Sequence, residues 1–400
     1  MKLSRNDLLV WGYILLLTAA LGVSLFAATP YPMDDHFFYQ AFVETLAGGK
    51  LDLTIPGFHG SDFFAVPWYL LTQSKTAQIE VLMFVAVLLP LFGYGAGKAL
   101  YGSSWHGVML ASIAALMPFI SFVGLRGWTG PAYFSLMFLA IITAKHAPRW
   151  TGLPFGLAML TKPFAVALFP LLMVLSPKAP SLFRRTRWIL AGFLIVLLYL
   201  VIQYLQAGRI IIGTHEELSV IQVLGMWETP VRFVLNLAHG IQMLFSVHNY
   251  YFPDPALTGP GNLIHTSPVL MFLGIFALLA PATFFPKKGM SQALGLGFVI
   301  AFAMAALMDH MDHYYMEAGV LLLILASLPV LKKYPLWIPI TLATLHFQWL
   351  YFYLQFRANF SLTPVFFLTP LLVDAALLLW VLFYRKEVRT LCKNMLFARS

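Results

Sequence analysis

The sequence predicts an all-α polytopic membrane protein, a bundle of about 12 transmembrane helices with extracytoplasmic surface helices. Three observations predict it. Hydrophobic residues make up 60% of the 400 residues and charged residues only 10%, against about 25% charged in soluble domains. The mean hydropathy is +0.80, and apolar runs of about twenty residues, long enough to cross a hydrocarbon core of ~30 Å, recur along the chain. The charges are also sorted by side. This composition excludes whole-chain disorder, a disulfide-stapled secreted fold and a nucleic-acid-binding domain.

The first span, 8–28, follows a basic start at Met1–Arg5. Its apolar run exceeds the ~7–15 residues of a signal-peptide core, so it reads as an uncleaved anchor despite the small Ala27-Ala28 pair. Charge, proline or glycine bounds the further spans at 79–99, 104–123, 129–145, 150–162, 163–177, 187–206, 264–285, 291–308, 315–331, 335–355 and 361–384. The 150–177 pair is interrupted by Lys162-Pro163 and reads as two short or broken helices, tolerated where protein covers the freed backbone groups. Three sections result: an N-terminal module over 1–206 that includes the first external loop, 29–78; an external loop or lid over 207–263; and C-terminal spans with a basic tail over 264–400. Cys392, the sole cysteine, reads as a reduced bystander in that tail.

With the N-terminus inside, most of the 25 basic residues fall on the cytoplasmic side. The exceptions are Lys50, Lys75, Arg126, Lys162, Arg209, Arg232 and Arg357. This is the positive-inside pattern, and it makes both termini cytoplasmic. The net charge of +9 is therefore a topology signal and implies no nucleic-acid partner. The acids run the other way: only Asp7 and Glu387 are cytoplasmic, and Asp374 is the one clear mid-span acid. Most histidines are also external, so function is expected on the extracytoplasmic face.

In the first loop, Asp34 or Asp35 can cap a helix and Gly48 can end it in a left-handed conformation. Phe38, Phe42, Thr45 and Leu46 recur at helical spacing, predicting a helix that lies along the membrane surface. Adjacent acids point about 100° apart on a helix, so one can meet substrate while the other binds a partner; alternatively both only cap. The loop then returns aromatic and apolar through Trp68 and Tyr69, which read as interfacial anchors. His59 is a candidate acceptor contact. Farther along, Asp309 and His313 would share a face if that segment is helical, serving metal ligation, anion binding or a polar collar. Carboxylate and imidazole suit several divalent metals, so Asp35, Asp309 and His313 are metal candidates and no cofactor is named. In the 207–263 loop, Glu228 and Asp254 are acceptor candidates, although the segment equally suits an amphipathic lid. Zinc-protease, P-loop, CxxC and GxSxG motifs are absent from the sequence.

Three features in order, namely the acidic pair Asp34-Asp35, the aromatic re-entry before the second span, and Gly156-Leu157-Ala158-Met159-Leu160-Thr161-Lys162-Pro163, resemble the GT-C membrane glycosyltransferases. The likeness is to the branch holding protein O-mannosyltransferases, aminoarabinose transferases and related bacterial polyprenyl-phosphate-sugar enzymes of the cell envelope, and it covers about residues 8–206. The resemblance implies a GT-C-like bundle in a prokaryotic plasma membrane, with a polyprenyl-phosphate sugar donor, a glycolipid, glycan or protein acceptor, and inversion at the anomeric centre. By position, Asp34 would be the catalytic carboxylate and Asp35 its neighbour. His310 or His313 would fit a late residue near the donor phosphate.

The chemistry stands beside that likeness. A carboxylate can take the acceptor hydroxyl's proton, and the departing phosphate needs positive charge. Lys162, beside Pro163, is the first candidate for that contact, with snorkelling to the headgroups as its alternative; Arg126 and Arg357 follow, each reading first as an interfacial anchor. The competing classes are a transporter or lipid flippase, which would show repeated halves and several deep ionisable residues, and a non-catalytic subunit of a glycan-assembly complex.

Overall fold

The computed structural model describes residues 5–32, 34–176, 182–210, 230–245, 267–285, 287–307 and 313–383, and among them there is helix and no strand. The helices are α1 (Arg5–Phe26), α2 (Asp34–Ala47), α3 (Ala65–Thr72), α4 (Ala77–Tyr101), α5 (Ser104–Ala115), α6 (Gly130–His146), α7 (Gly152–Thr161) and α8 (Phe169–Leu175). They continue with α9 (Leu182–Ala207), α10 (Pro230–Phe245), α11 (Pro268–Leu279), α12 (Lys288–Ala306), α13 (His313–Lys333), α14 (Trp337–Phe356) and α15 (Leu368–Phe383). Five stretches, Asn6–Phe26, Ala77–Tyr101, Thr186–Ala207, Lys288–Ala306 and Pro364–Leu382, are long and apolar enough to cross a membrane. Long apolar helices of this kind mark a membrane protein. Leu194, Leu197, Val201 and Leu205 stand outward on α9, a surface that water would disfavour and hydrocarbon accepts.

Several predicted spans are broken, each with a local cause. The 104–123 stretch stops at Ala115, because Pro118 starts a separate short helix, Pro118–Ser121. The indole of Trp349 donates to the freed carbonyl of Leu116 at 3.0 Å, the repair that a backbone without water requires. The 264–285 stretch is likewise divided, into α11 and a short Pro281–Phe284 helix. At 150–177 the break falls where Lys162-Pro163 predicts it. Lys162 is extended (φ −151°, ψ 120°) and Pro163 opens a 3-10 segment leading to α8; a residue before proline is pushed out of the helical region. The predicted 207–263 loop contains a helix, α10, whose Asn236 amide caps the end of α12 by donating to Ala306 O at 3.1 Å.

The main core runs between α4, α5, α6 and the α11–α12–α13 group. A second, smaller core of Phe42, Leu53, Leu160 and Tyr199 fastens the first loop. It joins α2, the residues after it, the end of α7 and α9. Phe42 is fully buried, a burial that contributes roughly 1.5–3 kcal/mol. The α9 end adds side-chain clamps: Gln203 and Gln206 donate to Leu53 O and Leu51 O, and Gln206 accepts from Leu53 N.

Two local expectations are corrected. α2 does not end on a left-handed Gly48: Gly49 has φ +84°, with Gly49 N donating to Leu46 O and Lys50 N to Thr45 O, the paired bonds of a Schellman motif. Nor is the buried face of α2 confined to the Phe38, Phe42, Thr45 and Leu46 stripe, of which Phe42 is fully buried and Leu46 packs on the second core. His36, Tyr39, Gln40, Phe42 and Val43 are buried while Phe38 is half-buried, because α2 packs on α3 and α4 instead of simply resting on lipid.

Candidate functional site

The chain enters the site held on both sides. Thr29 N donates to Phe360 O at 2.8 Å and Tyr31 N to Leu125 O at 2.9 Å, so the start of α2 is fixed before Asp34 is reached. Asp34 and Asp35 form the first turn of α2; their side chains lie outside the described ones.

His36, the next residue, is buried, and its Nδ1 lies 3.0 Å from Gln78 Oε1. The Gln78 amide donates to Gly127 O at 2.9 Å, so Oε1 is the acceptor and His36 Nδ1 carries the proton. One side chain from the start of α4 thus ties the opening of α2 to the turn after Arg126. Arg126 itself is buried, with its guanidinium 4.2 Å from the centre of the Trp128 ring; such stacking holds a cation at a defined place.

The predicted acceptor contact His59 is fully buried and committed elsewhere. Its ring stacks on Phe42 at 4.0 Å with a 4° interplanar angle. Nε2 lies 3.1 Å from Ile55 O, and Nδ1 lies 2.8 Å from Asp62 Oδ2. A carbonyl only accepts, so Nε2 carries a proton, and His59 and Asp62 share one more across the second bond. Burial pushes the Asp62 carboxyl above its usual range, while the His59 bond opposes that rise. The lone loop histidine is therefore a structural residue, since its ring fills the second core and leaves no face for a sugar.

Gly60 brings this loop onto the α7 break. Its N–H donates to Leu160 O at 3.0 Å, and a Cβ there would lie 2.4 Å from Leu157 O and 2.7 Å from Thr161 N. Two residues beyond Leu160 stands Lys162. It does not snorkel. Its side chain is 2% exposed, and Nζ lies 2.6 Å from Glu317 Oε2 and 5.4 Å from the centre of the Tyr133 ring. Glu317 belongs to α13 and its other oxygen faces Gly130, the first residue of α6. Asp374, read as the mid-span acid, is half exposed and lies 3.2 Å from His346 Nε2. Glu317, like Asp62, is an acid buried near the site, and the sequence does not single it out because it stands where polar residues give way to an apolar run.

The geometry brings together, at one end of the bundle, the Asp34–His36 turn, the Arg126–Gly130 turn and the Lys162–Glu317 pair. Asp309, His310, Glu228 and Asp254 lie outside the described residues, as does the side chain of His313, which begins α13 four residues before Glu317. Among the described residues, no three His, Cys, Asp or Glu side chains group as a metal site would. A buried cation, a stacked guanidinium and a helix opened by two acids can together orient an anionic, hydroxyl-bearing ligand. Comparison with protein-family models, with curated proteins and with solved structures finds no match to this chain.

Proposed function

We propose that the protein is a membrane glycosyltransferase of the GT-C kind, crossing the bilayer about twelve times. It moves a sugar from a polyprenyl-phosphate carrier to a glycolipid, glycan or protein acceptor on the extracytoplasmic face. The observation that carries this reading is the convergence of the Asp34 turn with Arg126 and the Lys162–Glu317 pair. Asp34 takes the proton of the acceptor hydroxyl as that oxygen attacks the anomeric carbon. The bond from that carbon to the phosphate oxygen breaks on the opposite face, giving inversion, and the carrier phosphate leaves with the electron pair. Arg126 and Lys162 supply positive charge to that phosphate in a site shielded from water, where it counts most. The donor's hydrocarbon tail stays in the bilayer, which is why such an enzyme is embedded.

A buried ion pair beside a broken helix also suits a transporter, so the test separates the two. Purified protein in lipid nanodiscs is given a labelled polyprenyl-phosphate sugar with lipid and soluble acceptors. Transfer by wild type, reduced ~100- to 10,000-fold in Asp34→Asn, supports the proposal. Transfer undiminished in Asp34→Asn removes Asp34 from the mechanism. Movement of the lipid across proteoliposomes without any transfer product replaces the enzyme reading with the transporter.

A further inference from the structure

A second feature lies at the far end of the same bundle. α4 runs 25 residues from Ala77 beside the candidate site to Tyr101, a rise of about 36 Å. There a cavity of about 680 Å³ opens between α1, α4, α6, α8 and the start of α12, with Lys98, Lys145, His146 and Lys287 around it. The three lysines and His146 are exposed, and among the described residues no carboxylate lines the cavity. We propose that this cavity binds an anionic membrane lipid, its phosphate held by the three lysines and its hydrocarbon lying along the apolar wall.

Two observations carry the assignment beyond an ordinary basic rim. The first concerns charge. Lys98 and Lys145 lie in the last turns of α4 and α6, where a cation offsets the negative end of a helix. Lys287 does the opposite. It is the residue before α12, whose first residue is Lys288, so two cations stand at the positive end of a helix dipole. That arrangement is unfavourable by itself and becomes favourable with an anion between them. Lys98 is also placed, not merely free: its Nζ is 3.4 Å from Tyr94 Oη and 5.6 Å from the Tyr94 ring centre.

The second concerns shape. The wall continues from Lys98 back to Leu91 on α4, a rise of about 10 Å, and Ile142 and Val174 face the same space. A free phosphate has no use for that apolar arm, whereas an acyl chain fills it. Basic pockets between membrane helices recognise lipid phosphates in this way. The inference does not depend on the proposed transfer reaction, since it concerns the opposite end of the helices.

The experiment uses the full chain, purified into neutral detergent and offered phosphatidylglycerol, phosphatidylcholine or inorganic phosphate. Bound lipid is read by native mass spectrometry and thermal stability in parallel. Wild type should retain phosphatidylglycerol over phosphatidylcholine by at least ~10-fold. The Lys98→Gln/Lys145→Gln/Lys287→Gln variant should lose that preference, and the corresponding triple arginine variant should keep it. Ile142→Trp, which fills the arm and leaves every lysine, should lower retention as well, and it serves if the triple glutamine variant does not fold. Equal retention of both lipids by wild type, an unchanged preference in the glutamine variant, or equal protection by inorganic phosphate would each overturn the proposal.

Discussion

At the scale of single residues, the Lys162–Glu317 pair decides how the candidate site tolerates change. The two groups are 2.6 Å apart and both are almost wholly out of solvent. Removing a charge from water is expensive, and the mutual attraction of a close pair offsets that cost only while both partners remain. Glu317→Ala leaves the Lys162 ammonium without its carboxylate in a dry setting, and should cost about 3–5 kcal/mol of stability. Lys162→Met combined with Glu317→Leu removes both charges with apolar groups of similar bulk, so it should recover most of that loss. Thermal unfolding in detergent reads both. A single variant as stable as wild type, or a double variant no better than the single, would show that the pair is not held as described. The double variant has a further use: if Lys162 stabilises a leaving phosphate, the protein stays folded while transfer falls, which separates a structural lysine from a working one.

At the scale of elements, the seating of the first loop on α7 rests on a missing side chain. A Cβ on Gly60 would collide with backbone at Leu157, Leu160 and Thr161, and backbone at a helix end cannot swing aside as a side-chain tip can. Gly60→Ala should therefore destabilise by about 1–3 kcal/mol and displace the loop from Lys162. Melting temperature and protease sensitivity of 48–61 should both change, and an unaffected alanine variant would contradict the packing. This contact also marks the limit of what the sequence makes legible. The helix break is readable because Lys162 precedes proline and has to leave the helical region. The end of α2 is readable to within one residue, since two glycines stand in a row and only the hydrogen bonds choose Gly49. The convergence of the Asp34, Arg126 and Lys162 segments is not readable, because helical period tells which face of a helix is apolar and not which other helix it meets. For the same reason His59 looks like a free loop histidine until Phe42 and Asp62 are found against it. Glu317 is hidden differently: an acid at the edge of an apolar run resembles a boundary marker until a lysine 155 positions earlier is brought to it.

At the scale of the whole molecule, the two ends of the bundle have opposite character. Glu44, Asp52, Asp62, Glu80 and Glu317 gather where α2 and α3 cover the helices, while Lys98, Lys145, Arg149, Lys287, Lys288, Lys332 and Lys333 mark the other end. The ~36 Å rise of α4 between them exceeds the ~30 Å hydrocarbon thickness, so both ends can reach water when the helix spans. α3 fits the boundary at the acidic end, because Trp68, Leu70 and Leu71 are exposed on a helix of only eight residues. The topology proposed above, argued from the positive-inside rule, puts the basic end in the cytoplasm. This orientation is open to a direct check in a Cys392→Ser background, which removes the sole cysteine. Lys75 is exposed, and its 3.3 Å contact with Glu44 is a surface pair worth about 0–1 kcal/mol, so Lys75→Cys should not disturb the fold. Lys288 is exposed at the opposite end. A membrane-impermeant maleimide added to intact cells should label Lys75→Cys at once and Lys288→Cys only after permeabilisation. The reverse order would turn the candidate site toward the cytoplasm and remove the basis for an extracytoplasmic transferase. Labelling of both without permeabilisation would contradict the crossing itself.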